Sequence, residues 1–149
     1  MFTPKTILVP TDFSRLSDKA LEKAIDMADK YNAKVLLLHV IDKSIQQCAG
    51  DYCIKYEDVL RLEEENMNTS LEKMESEAAD LAKKKNIEVV YDVKKGSPAR
   101  VILDEQGKAG VDLIVIGSQG HHGFKKHLLG GVVDKVVRGA RIPVMVVHA

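Results

Sequence analysis

The run Val111-Asp-Leu-Ile-Val-Ile-Gly117 breaks into Ser118-Gln-Gly120, and Gly130-Gly131-Val132-Val133 follows ten residues later. A near-continuous apolar run of this length reads as a strand buried on both faces, as in a parallel sheet. The glycine-spaced loop after it leads into an amphipathic segment, Val132 to Arg138. Strand, glycine-rich loop and helix in this order bring bare backbone N–H groups and a helix N-terminus up to a phosphate. The pattern points to nucleotide binding. By spacing alone, plain turn glycines are the alternative.

The same alternation runs through the chain. Strands are predicted over 5–10, 34–40, 87–93, 111–116 and 143–147. Leu16, Ala20, Ala24, Met27 and Ala28 recur at helical spacing, with Ser14 as N-cap and Asn32 at the end. A second, highly charged helix is expected over 57–85, its apolar stripe marked by Leu60, Met67, Leu71, Met74, Ala78 and Leu81 and its charges forming a solvated face. Ser97 as N-cap and Pro98 at the first helical position open a third, running to Gly107. The fourth spans 131–139. Residues 41–56 have no clear period and read as a long loop.

Five strands alternating with four helices predict an α/β fold: an open five-stranded parallel sheet, Rossmann-like, with helices on both faces. In such sheets ligands bind beyond the C-terminal strand ends, where the strand order reverses. If strands one to three wind outward and strand four returns beside strand one, the order is 3-2-1-4-5. The crevice then lies between Pro10-Thr11-Asp12 and the loop starting at Gly117.

The 149 residues suit one domain, expected over 1–149. Twenty-two basic residues balance 22 acidic ones, so no global field recommends nucleic acid or an anionic membrane as partner. No apolar run approaches the ~18 residues that span a bilayer, and no signal segment opens the chain; a soluble, cytoplasmic protein is expected. Cys48 and Cys53, at C-x4-C with no second ligand pair, read as ordinary thiols rather than a zinc site, a redox-sensitive local disulfide being the alternative. His121, His122 and His127 with Lys125 and Lys126 form a cationic cluster, read as a solvated loop ahead of a phosphate contact or a metal site. His39, in a buried strand, reads as a satisfied core histidine. Catalysis has little support: there is no phosphate-loop lysine motif, no nucleophile elbow and no residue committed as general base. Strand three lacks the aspartate a response regulator would need, and the aromatic residues expected around a flavin are missing.

Three segments carry a family resemblance. Ile7-Leu-Val-Pro-Thr-Asp12-Phe-Ser14, Asp112-Leu-Ile-Val-Ile-Gly117-Ser-Gln-Gly120 and Arg141-Ile-Pro-Val-Met-Val-Val147 occur in the order found in the universal stress protein family, which the whole chain resembles. The resemblance implies an adenine nucleotide alpha hydrolase-like fold. Its ATP-binding branch carries Gly-x2-Gly-x9-Gly followed by Ser or Thr. Gly117, Gly120 and Gly130 fit, but Gly131 stands where the hydroxyl belongs. Losing that hydroxyl removes about 0.5–1.5 kcal/mol of hydrogen bonding, or about tenfold in affinity, and leaves the backbone N–H.

Carried over residue by residue, the resemblance implies that Pro10, Thr11 and Asp12 flank adenine and ribose, with capping of the next helix as the alternative role for Asp12. Val40 would touch the base, and Ile116 and Gly117 the ribose. Gly120, Gly130, Gly131 and Val132 would wrap the phosphates. The implied cofactor is ATP or AMP, with Mg²⁺ as a candidate companion. The implied assembly is a homodimer through the C-terminal strand, acting as a stress-response regulatory module with an unknown protein partner. A nucleotide-free dimeric interaction protein, as in the family's non-binding branch, is the rival that Gly131 favours. A weak ATPase is the third reading.

Overall fold

The computed structural model describes residues 1–42, 56–108, 110–118 and 131–149. Its elements are β1 (Thr6–Pro10), α1 (Arg15–Tyr31), β2 (Lys34–Asp42), α2 (Tyr56–Lys85), β3 (Val89–Gly96), α3 (Pro98–Glu105), β4 (Leu113–Gly117), α4 (Gly131–Gly139) and β5 (Val144–Val147). The strands form one parallel sheet in the order β3-β2-β1-β4-β5, the arrangement expected from the sequence.

Strand alternation sorts the apolar residues into two layers. Ile7, Val9, Val35, Leu37, Leu113 and Val115 pack with Ala20, Leu21, Ala24, Ile25 and Ala28 of α1 and Ala78 of α2. On the other face Leu8, Leu36, Leu38, Ile114 and Ile116 pack with Ala99 and Ile102 of α3 and Val133 and Val136 of α4. Both faces of the central strands are therefore sealed from water. Each fully buried Leu or Ile contributes about 1.5–3 kcal/mol relative to exposure. At the base of the sheet the Asp112 carboxylate accepts from the backbone N–H groups of Lys5 and Thr6 at 2.8–3.1 Å, which ties the start of β1 to the start of β4.

Local signals behave as expected at α1. The Ser14 hydroxyl accepts from the Ser17 N–H, and Asn32 ends the helix in the left-handed conformation with its N–H on the Ala28 carbonyl. Several expectations need correction: α3 ends at Glu105 rather than Gly107, and β4 spans 113–117 rather than 111–116. β2 runs on through Asp42 and α2 starts at Tyr56, so the unpatterned segment is shorter than 41–56. β3 spans 89–96 rather than 87–93, because the β2–β3 ladder continues to Asp42↔Gly96. Its last residues are exposed or half-buried and carry no hydrophobic period for a sequence reading to detect. Ser97 does sit at the α3 N-cap, but its hydroxyl makes no cap hydrogen bond.

Candidate functional site

The chain reverses its winding between β1 and β4, and these strands pair at Ile7↔Leu113 and Leu8↔Ile114. On its other edge β1 stays laddered to β2 as far as Pro10↔Leu38. The β1–β4 register ends at Leu8 and Ile114, and in a sheet of this kind the strand ends beyond that point are where a ligand crevice is expected.

On the β1 side the chain turns tightly into α1. Thr11 is buried, with its hydroxyl 3.1 Å from Ser17 Oγ and accepting from the Phe13 N–H. The Asp12 carboxylate accepts from the Ser14 N–H at 3.0 Å, an Asx turn that leads into the helix cap. Phe13 takes φ 63°, a costly conformation for an aromatic residue. Its ring lies 4.5 Å from that of His39, centroid to centroid. His39 Nδ1 is 2.7 Å from the Thr11 carbonyl, and a carbonyl only accepts, so Nδ1 carries the proton. Burial pushes the His39 pKa down, partly offset by the Thr11 carbonyl and by the charge of Asp12. His39 is satisfied, as read from sequence, but it is also the brace behind this turn.

On the β4 side Ile116 and Ser118 are buried, and the Ser118 N–H donates to Val147 of β5. A Cβ on Gly117 would lie 3.1 Å from the Leu16 carbonyl oxygen and 3.2 Å from its carbon. That glycine is needed because the first turn of α1 rests on it. Gly120, Gly130, the histidine and lysine cluster at 121–127, Cys48 and Cys53 lie outside the described residues.

A cavity of about 380 Å³ lies at the C-terminal end of the sheet, on the α3/α4 side. Asp42, the α3 start at Ser97 and Pro98, and Gly131, Val132 and Lys135 of α4 line it. A Cβ at Gly131 would meet nothing within 4 Å. This volume is in the range of small-molecule sites, and the starts of two helices border it, where unpaired N–H groups favour an anion. The fold thus has room and donors for a nucleotide phosphate. Among the described residues no three His, Cys, Asp or Glu side chains gather as metal ligands.

Gly131 and Val132 belong to this cavity, and Val40 and Ile116 share its layer. By alternation Pro10 falls on that face too, whereas Thr11 and Gly117 fall on the α1 face. Asp42, Ser97, Pro98 and Lys135 line the cavity but are not among the site residues that the sequence points to. Ser97-Pro98 was legible as a helix start, and the same strand-end rule applied to β3 would have placed that start at the site. Lys135 had only its i+4 spacing from Gly131 as a signal.

The chain belongs to the universal stress protein family, whose pattern it matches over residues 3–148. It is 32% identical over 144 residues to universal stress protein YxiE of Bacillus subtilis, covering 95% of this chain and 97% of that one. Among solved structures, protein MJ0577 of Methanocaldococcus jannaschii superposes with a TM-score of 0.73 at 29% identity, over 99% of this chain and 98% of that one. Universal stress protein UspA of Lactobacillus plantarum superposes with a TM-score of 0.80 at 24% identity, over 96% and 97% of the two chains.

Proposed function

We propose that this chain is an adenine-nucleotide-binding regulatory module that works as a homodimer. The observation that carries the reading is the cavity at the C-terminal end of the sheet, where the start of α4 at Gly131 and Val132 faces the start of α3. In this reading Pro10, Asp12 and Val40 hold the base and ribose, with Ile116 and Gly117 beneath the sugar and Thr11 shaping the turn from inside. Gly120, Gly130, Gly131 and Val132 present backbone N–H groups to the phosphates of ATP or AMP. Two universal stress proteins were solved with cAMP and with dAMP, at 23% and 20% identity; that likeness is one of fold. The reading for this chain stands on its own residues.

A titration of the nucleotide-stripped protein with ATP and Mg²⁺, followed by calorimetry, tests it. Saturable binding that is lost in Gly120→Val supports the site. No heat and no thermal stabilisation at millimolar ATP rejects it.

The rival, a dimeric interaction protein without nucleotide, is favoured by Gly131, whereas the edge of the sheet supports the dimer in either reading. β5 pairs with β4 on one side, and Met145 on β5 and Val137 on α4 are exposed. An apolar edge of this kind pairs readily with a copy of itself. No described helix is long and apolar enough to cross a membrane.

A further inference from the structure

The cavity is lined by charges of opposite sign, Asp42 from the end of β2 and Lys135 from α4. Lys135 follows Gly131 by four residues and so rises from the same face of the helix, one turn further along. Two other cations already have carboxylate partners. Lys94 is ion-paired with the buried Glu105 and lies 3.7 Å from Asp92, and Arg138 pairs with Asp134 at 3.0 Å. Lys135 enters no ion pair among the described residues. Gly131, the first residue of α4, offers backbone alone in open space. A lysine that lines a cavity beside a helix start can pair with an anion without giving up an existing partner.

We infer that Lys135 supplies the phosphate contact that the side chain at position 131 does not, so that binding depends on the nucleotide's phosphate through this ammonium. The inference rests on the nucleotide reading above.

The test uses the full chain, stripped of nucleotide, titrated with Mg²⁺-ATP and with adenosine. Lys135→Gln weakens ATP about tenfold and leaves adenosine unchanged. Lys135→Arg retains most of the ATP affinity, and Arg138→Gln on the outer face behaves as the parent. Gln keeps the helix propensity of Lys, so unaltered thermal unfolding accompanies the loss. Unchanged ATP affinity in Lys135→Gln overturns the inference. So does an equal loss for ATP and adenosine, or a loss in Lys135→Arg as large as in Lys135→Gln. A parent protein that binds neither ligand overturns the nucleotide reading itself.

Discussion

His39 Nδ1 donates to the Thr11 carbonyl across 2.7 Å, so one side chain of β2 braces the turn that leaves β1. Burial depresses the His39 pKa below its ordinary value of 6.5. Between that value and the lower folded one, the unfolded chain binds more protons than the native chain. Stability from this group is therefore complete above about pH 6.5 and is lost as the pH falls through the folded pKa. Urea midpoints of the parent should fall from pH 7.5 to pH 5 more steeply than those of His39→Gln. Parallel curves would show that His39 does not titrate across this window.

Gly117 opens the loop motif and Gly131 stands at its Ser/Thr position, and the two sites differ in the space around them. A Cβ at 117 presses on the Leu16 backbone, whereas a Cβ at 131 meets open space. Gly117→Ala should cost about 1–3 kcal/mol, as overpacking does, and lower the melting temperature by several degrees. Gly131→Ser should fold within about 0.5 kcal/mol of the parent and bind ATP about tenfold more tightly. Equal melting temperatures for the two variants would remove the distinction.

Gly96 closes β3 at φ 150°, and a Cβ there would come 2.9 Å from Val101 Cγ2. Gly96→Ala combines backbone strain with a clash and should destabilise by about 1–3 kcal/mol. It should also shift the α3 start and weaken ligand binding, because Ser97 and Pro98 line the cavity. Denaturant unfolding and calorimetry on the same preparation read both effects.

The Asp112 carboxylate accepts two backbone donors at the foot of the sheet. Asp112→Ala should cost about 1.5–3 kcal/mol, the range for hydrogen bonds to a charged group, with nucleotide affinity unchanged because the proposed site lies at the other end of the strands. A lost affinity with intact folding would contradict that separation.

Met145 is exposed on the edge strand β5. Met145→Lys should shift a dimer toward monomer in light scattering at micromolar concentration, since charge on an edge strand opposes strand pairing. A parent that is already monomeric there would remove the homodimer from the proposal.

How much was legible in advance differs by element. α1 was readable nearly to the residue and β4 to within two residues, because burial writes a period into the chain. Ile114, Val115 and Ile116 are apolar since both faces of their strand are covered, and Ala20, Ala24 and Ala28 recur since one face of their helix meets the sheet. The far ends of β2 and β3 were not readable. Asp42 and Gly96 are register partners in the β2–β3 ladder, and backbone pairing leaves no mark on side-chain choice.

By itself the sequence determined the alternation of strands and helices, the cap at Ser14 and the glycine-spaced loop, because each depends on residues close along the chain. The tertiary structure decided that Asp42, Ser97 and Lys135 share one cavity and that His39 backs the turn at Thr11. Those relationships join residues from separate elements, and only the register of the parallel ladders and the packing of α3 and α4 on one face bring them together.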